Sequence, residues 1–251
     1  MTVTAPETAC HATARIAALD LARGAALLAM VVFHFARDLE FFGYVAPGLT
    51  MTGGWPVFAR LIAGSFLFLA GASLWLAHGT GIRRRAFLRR LGMIAGAAAV
   101  VSVATYVALP EAWIFFGILH MIATASLAGL VFVRLPTAIT LAAAIAAAAL
   151  PRLVADPIFS APGLVWLGLG SEVPRSMDFV PFFPWIAPCL LGLAVARLAG
   201  RAGFWDWLRR RPTPGTVWQA LAFPGRHSLA VYLIHQPVLV GLLWMAARIG
   251  V

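Results

Sequence analysis

Four ionisable residues on one segment near the N-terminus have the types and spacing needed for chemistry. Asp20, Arg23, His34 and Asp38 occur in ALDLARGAALLAMVVFHFARDLEFFG, whose central part is apolar. On a helix that turns about 100° per residue, all four fall on one stripe roughly 60° wide. An ionisable group inside a membrane-spanning helix is a candidate functional residue by default. The stripe therefore predicts a protein interior or a wet cavity beside this helix.

The four residues of this polar stripe divide into two tiers. Arg23 lies about three helical turns, roughly 16 Å, from His34. In the first tier, Asp20 can neutralise Arg23 from position i−3. In the second, Asp38 at i+4 is within reach to orient the His34 imidazole. We therefore predict that His34 is a general base and that Arg23 positions a substrate. Polar packing between helices, with Arg23 reaching the membrane surface, explains the same pattern without chemistry.

Two further histidines in apolar segments are candidate catalytic residues. His120 is expected about two turns inside the fourth apolar segment, at a depth comparable to that of His34. His235 is expected near the level of Arg23, beside a backbone irregularity that Pro237 introduces. Hydrogen bonding between helices is the competing explanation for each of the two histidines.

The composition indicates which elements must position these residues. Hydrophobic residues make up 62% of the 251 residues and charged residues 11%, against about a quarter charged in soluble domains. This excludes a soluble globular domain, a disulfide scaffold, a nucleic-acid-binding domain and a disordered chain. The net charge is +10, and all 19 basic residues are arginine, which favours anionic headgroups or a phosphorylated cosubstrate as partners. The chain is therefore predicted to be a polytopic membrane protein.

The apolar segments predict an all-α bundle of about seven transmembrane helices, preceded by a polar tail at 1–16 and contained in one domain at 17–247. Most arginines fall on the cytoplasmic side when the N-terminus is placed inside, and this favours a bacterial inner-membrane protein with a cytoplasmic N-terminus. The connector 200–227 is expected to be amphipathic. The predicted spans are 17–37, 56–77, 91–109, 113–133, 136–150, 181–199 and 228–247.

Several motifs resemble known membrane acyltransferases. Arg23, ten residues and then His34 resemble the Arg-x10-His signature of membrane acyltransferase family 3. The wider sequence resembles the catalytic-domain family of heparan-α-glucosaminide N-acetyltransferase, in LDLARG, SFLFLAGASL, FFGILH, DFVPFFPWIAPCLLGLA and GRHSLAVYLIHQP. The resemblance implies transfer of an acyl group, expected to be acetyl, from cytoplasmic acyl-CoA through the membrane to a sugar or glycan acceptor on the far side. No metal is expected.

If the resemblance holds, the basic run RRRAFLRR at 83–90 is a candidate binding site for acyl-CoA. Coenzyme A carries several phosphate charges, and planar guanidinium groups bind phosphate through two hydrogen bonds. Attraction to anionic lipid accounts for the same run without a cosubstrate. The candidate acyl-CoA-binding residues are Arg83, Arg84, Arg85, Arg89 and Arg90.

Two functions from other classes stay open at this point. A transporter or lipid flippase would also line a cavity with arginine, histidine and aspartate, although its usual inverted repeats are not evident. A non-catalytic membrane subunit would use the polar stripe to bind partner helices. The expected partners are membrane lipids, acyl-CoA and a glycan, with no nucleic acid; the oligomeric state is open, and a homodimer is one option.

Overall fold

The structure is a computed structural model that describes residues 16–211 and 215–249, and these residues form α-helices and short 3₁₀ turns without a strand. The all-α prediction is confirmed. Five of the helices (α1, α2, α3, α6 and α9) are long and apolar enough to cross a membrane, and α4 and α5 are shorter apolar helices. The helices are α1 (Ala17–Phe41), α2 (Trp55–His78), α3 (Arg84–Ala108), α4 (Ile118–Phe132), α5 (Thr137–Leu153), α6 (Phe182–Arg201), α7 (Phe204–Arg210), α8 (Thr216–Arg226) and α9 (Ser228–Arg248).

The seven predicted apolar spans all occur as helices, but the fourth begins later than expected. Helix α4 starts at Ile118 rather than at 113. The residues before it run beside the segment that precedes α6, through backbone hydrogen bonds from Met177 to Ala112 and from Val180 to Phe116. This pairing uses backbone groups that a longer helix would need. Hydropathy alone cannot detect this pairing, because the residues just before α4 are as apolar as the helix itself.

Helices α2 and α6 cross at very short range and form the centre of the bundle. A Cβ atom at Gly71 of α2 would overlap the carbonyl oxygen of Cys189, and one at Gly192 of α6 would overlap the carbonyl oxygen of Phe68. Small residues allow such approach between membrane helices, where dispersion contacts and interhelical hydrogen bonds replace the hydrophobic effect. Fully buried side chains such as Leu67 and Leu190 fill the space beside this crossing.

Helix α4 ends inside the protein, and an arginine from α6 satisfies its terminal carbonyl groups. Arg197 is 6% exposed and donates hydrogen bonds to the carbonyl oxygens of Phe132, Val133 and Leu135. The last four carbonyls of a helix have no partner within the helix, and a cation there also interacts favourably with the helix dipole. Arg197 was expected only as one of the arginines on the cytoplasmic side. Its structural role is to hold α4 against α6.

The predicted amphipathic connector forms the two short helices α7 and α8. Trp205 of α7 is buried and donates from its indole nitrogen to the carbonyl oxygen of Ala196, whereas Trp207 and Trp218 are exposed. Helix α8 packs along the first turns of α1, where a Cβ at Gly225 would overlap the carbonyl oxygen of Asp20. Helix α8 thus ends beside the first turns of α1, and α9 begins two residues later.

The α2–α6 crossing gives a first testable prediction. Gly71→Ala should destabilise the protein by about 1–3 kcal/mol, because the added methyl group meets backbone atoms that cannot move aside independently. Gly64→Ala, in the same helix and with no atom within 4 Å of the added Cβ, is the matched control. Thermal unfolding of both variants in the same detergent measures the difference. Equal unfolding temperatures for the two variants would show that the crossing is not close-packed.

Candidate active site

Arg23 is held at one end of the bundle by groups from two helices. Its guanidinium donates to Oδ1 of Asp20 at 2.9 Å and to Oγ of Ser73, on α2, at 2.6 Å. Asp20 is 2% exposed, so this ion pair lies inside the protein. The predicted neutralisation of Arg23 by Asp20 is confirmed. Arg23 is therefore held between Asp20 and α2, with 25% of its side chain exposed, and does not extend along the lipid face.

A cavity of about 320 Å³ lies beside Arg23. Helices α1, α2, α3, α4 and α9 all contribute to its wall, which is largely apolar, with side chains such as Phe66, Met93 and Ile122. Two guanidinium groups, from Arg23 and Arg90, and the hydroxyl-bearing Ser228 and Tyr232 supply its polar side chains. A narrow apolar cavity with a few polar groups is the usual form of a small-molecule site.

The five arginines of the basic run do not share one environment. Arg90 is half-buried and lines the cavity with Arg23. Arg83, Arg84, Arg85 and Arg89 are exposed and lie outside the cavity wall. The run begins just before α3, and Arg90 lies two turns inside that helix. The cavity therefore has one arginine of the run inside it and four on the surface near its Arg23 end.

His34 and His235 form a pair of imidazoles next to Tyr232, outside the residues that line the cavity. Their ring centroids are 5.0 Å apart. The ring of Tyr232, which lines the cavity, lies 5.6 Å from that of His235. The expectation that His235 lies near the level of Arg23 is wrong. It is Ser228, at the start of α9, that lines the cavity with Arg23, and His235 is two turns further along α9, beside His34.

One hydrogen bond fixes which nitrogen of His235 carries a proton. Nδ1 lies 2.6 Å from the carbonyl oxygen of Tyr232, which can only accept, so Nδ1–H donates. In the neutral ring Nε2 is then an acceptor. Nε2 is buried and has no hydrogen-bond partner among the described residues. His235 thus presents an unpaired basic nitrogen within the protein.

Asp38 does not orient His34 in this structure. Its Oδ1 accepts a hydrogen bond of 2.7 Å from Nε2 of Gln236 on α9, and its Oδ2 has no partner among the described residues. The expectation from the i+4 spacing is therefore wrong. The short Asp38 side chain meets the longer Gln236 across the α1–α9 interface, while the His34 ring meets His235.

His120 belongs to a separate hydrogen-bond network. The Ser102 hydroxyl donates to the carbonyl oxygen of Ile114 at 2.6 Å, so the 3.2 Å contact between Ser102 Oγ and Nε2 of His120 is a hydrogen bond donated by His120. Nδ1 of His120 accepts from the backbone N–H of Gly117 at 3.3 Å. Nδ1 thus binds the loop before α4 directly, and Nε2 is linked to that loop through Ser102 of α3. His120 also lies in the first turn of α4, not two turns inside it, because that helix starts late.

Asp178 satisfies the other end of α4. Its Oδ2 accepts a 2.9 Å hydrogen bond from the backbone N–H of Ile118, where the helix has unpaired donors. A Cβ at Gly117 would overlap this carboxyl group, so a larger residue there would displace the Asp178 side chain. Burial raises the pKa of Asp178 to about 6, and the hydrogen bond from Ile118 opposes the shift in part.

Sequence reasoning did not assign a site role to three residues that the structure brings to these groups. Ser73 binds Arg23, Tyr232 lines the cavity and contacts the ring of His235, and Gln236 binds Asp38. Ser73 and Tyr232 are typical of apolar helices and gave no signal. Gln236 did offer one, since a glutamine within a membrane span needs a polar partner.

Fold and site together define the class: an integral membrane protein with a cavity lined by two guanidinium groups and by Tyr232, whose ring lies beside a pair of imidazoles. The family follows from comparison with known proteins. Residues 15–237 match the sequence model of the family described as heparan-alpha-glucosaminide N-acetyltransferase, catalytic. The chain belongs to this family, which indicates a membrane acetyltransferase and confirms the resemblance seen in the motifs. The comparisons with curated proteins and with solved structures gave no match.

The raised pKa of Asp178 gives a testable pH dependence. A carboxyl group whose folded-state pKa lies above its ordinary 3.8 contributes stability at low pH that is lost as the pH rises through about 6. Asp178→Asn keeps an oxygen for the Ile118 N–H but cannot ionise. Relative to wild type, the variant should gain on the order of 2–3 kcal/mol between about pH 4 and pH 8.

Thermal unfolding of wild type and Asp178→Asn across this pH range measures the effect. The difference between the two proteins isolates Asp178 from the other groups that titrate. A difference that does not change with pH would mean that the carboxyl group is not buried.

Proposed function

We propose that this protein transfers an acetyl group from acetyl-CoA to a hydroxyl or amine of an extracytoplasmic sugar or glycan. The observation that carries the proposal is the cavity between Arg23 and Tyr232, with the imidazoles of His34 and His235 directly beyond it. The family membership supports the acetyl group and the membrane setting. The acceptor, the CoA donor and the direction across the membrane belong to the proposal.

The donor occupies the Arg23 end in this mechanism, which we take to be the cytoplasmic end of a bacterial inner-membrane protein. The pantetheine arm of acetyl-CoA enters the apolar cavity, and Arg23 and Arg90 bind its polar groups. The cavity of about 320 Å³ is at the small end of ligand sites, so the nucleotide stays outside. There its phosphates meet the exposed arginines Arg83, Arg84, Arg85 and Arg89.

The chemical step takes place near Tyr232. The acceptor oxygen or nitrogen attacks the thioester carbonyl, a C–O or C–N bond forms, and the C–S bond breaks. The imidazole pair of His34 and His235 takes the proton of the acceptor and returns it to the departing thiolate, so that CoA leaves as a thiol. The unpaired Nε2 of His235 supports this role, because it is a basic nitrogen that no described group occupies. His120 has both nitrogens bonded, which favours a positioning role.

A direct assay tests the function. Purified protein in nanodiscs is given acetyl-CoA and a panel of sugars, and release of the CoA thiol is followed together with the mass of the acetylated acceptor. Release that depends on both substrates supports the proposal. Uptake of a solute into liposomes without thioester cleavage would instead indicate a transporter, and copurification of a stoichiometric partner with no turnover would indicate a non-catalytic subunit.

The imidazole pair gives the next prediction. His34→Gln and His235→Gln should each lower kcat by about 10²–10⁴-fold, as expected for loss of general acid–base catalysis, with a smaller effect on the KM for acetyl-CoA. His227→Gln is the matched control, because His227 is exposed at the junction of α8 and α9. Wild-type turnover by a correctly folded His34→Gln protein would remove His34 from the mechanism.

The exposed arginines give a separate prediction about the donor. Replacing Arg83, Arg84 and Arg85 together by glutamine should raise the KM for acetyl-CoA about tenfold, since exposed charge pairs each contribute little. The effect should shrink as salt is added. S-acetylpantetheine, which lacks the phosphates, serves as the control donor, and its KM should not change. An unchanged KM for acetyl-CoA would show that these arginines serve topology or lipid contact alone.

A further inference from the structure

Three buried hydrogen-bond acceptors lie without partners along the α1–α9 interface. They are Oδ2 of Asp38, Oε1 of Gln236 and Nε2 of His235, and none has a hydrogen-bond partner among the described residues. Asp38 and Gln236 are joined to each other at 2.7 Å, and His235 is the neighbour of Gln236 in the chain. Other buried side-chain atoms of this kind, on Thr137 and Ser160, lie elsewhere in the chain.

With Asp38 ionised and His235 neutral, all three atoms accept hydrogen bonds and none donates. The ionised carboxylate of Asp38 has no proton to give. The amide nitrogen of Gln236 donates to Asp38, and the amide oxygen has no partner among the described residues. The Nδ1 proton of His235 goes to the Tyr232 carbonyl, which leaves Nε2 as an acceptor. The interface therefore offers several acceptors to a group that carries O–H or N–H donors.

Leaving such atoms unpaired in the interior is unfavourable, because a buried acceptor loses its hydrogen bonds to water. A ligand that brings donors to this interface recovers that loss. In the proposed reaction the acceptor substrate is the molecule rich in O–H and N–H groups. The cavity proposed for the thioester donor is lined by Arg23 and Tyr232. Asp38, Gln236 and His235 are not among its lining residues, and the ring of His235 lies 5.6 Å from that of Tyr232.

We propose that Asp38 and Gln236 bind a second hydroxyl or amine of the acceptor, adjacent to the one that reacts at His235. This inference rests on the proposed acetyl transfer. It makes Gln236 a specificity-determining residue and makes a vicinal diol or a vicinal amino alcohol the preferred acceptor. A molecule with a single hydroxyl fills only the reactive position and leaves the oxygens of Asp38 and Gln236 unpaired.

The test compares small acceptors that differ in one donor group. Wild-type protein is assayed for CoA release with acetyl-CoA and either cis-cyclohexane-1,2-diol or cyclohexanol, with rates counted per hydroxyl. The diol should have a kcat/KM about 10–100-fold higher, which is the expected effect of one lost hydrogen bond to a buried polar group. In Gln236→Met the ratio should fall toward one, because the rate with the diol drops.

Two further variants keep the test decisive. Gln219→Met, at an exposed position of α8, is the matched control and should keep the wild-type ratio. Asp38→Asn retains an oxygen for the Gln236 amide at nearly the same size, and it replaces the free acceptor by a donor. If Gln236→Met does not fold, Asp38→Asn should show the same loss of the ratio.

Each result separates this inference from the proposed function. CoA release at equal efficiency with both acceptors in wild type would overturn the inference and leave acetyl transfer standing. An equal loss of rate for both acceptors in Gln236→Met would also overturn it, since the interface would then have only a structural role. Absence of CoA release with every acceptor, sugars included, would overturn the proposed function and the inference with it.

Discussion

A charged side chain in an apolar interior is unfavourable unless other groups bind it. Arg23 is the residue whose partners have the largest effect on the structure. Its guanidinium binds Asp20 on its own helix and Ser73 on α2, so the two helices are held together at that depth. The same guanidinium forms part of the cavity wall with Arg90. Had Arg23 extended toward the headgroups, the cavity would have lost a polar group and α1 a fixed contact with α2. The cost of burying a charge therefore decides both the packing of α1 and the character of the site.

The same requirement for partners applies to the backbone N–H and C=O groups at the ends of helix α4. Its 15 residues are fewer than a membrane span needs, so both of its ends lie within the protein. Arg197 takes up the carbonyl groups at one end, and Asp178 takes up an N–H at the other. These two caps set the position of α4, whose Ile118 and Ile122 form part of the cavity wall. Arg197 and Asp178 thus support the site by holding the two ends of α4 in place.

The sequence allowed prediction of what depends on one segment at a time. The seven apolar helices follow from hydropathy, and the Asp20–Arg23 pair follows from helical spacing, because both partners lie on one helix. The hydrogen bond between Gln236 and Asp38 joins residues 198 positions apart in the sequence. It depends on the register of α9 against α1. Spacing on α1 alone does not contain this register, and it therefore favoured His34 as the partner of Asp38. The late start of α4 has the same origin, since the segment that pairs with its first residues lies far along the chain.

The two ends of the site differ in the kind of hydrogen bond that they offer. The Arg23 end has guanidinium donors, which suit carbonyl, phosphate and other acceptor groups. The His34 end has the unpaired acceptors of Asp38, Gln236 and His235, which suit O–H and N–H groups. Acetyl transfer brings together two such substrates, a thioester with acceptor oxygens and a nucleophile with donor hydrogens. A transporter would need both ends to suit the same solute in turn. The change from donors in the cavity to acceptors at the neighbouring α1–α9 interface therefore favours a two-substrate reaction over passage of a single ligand.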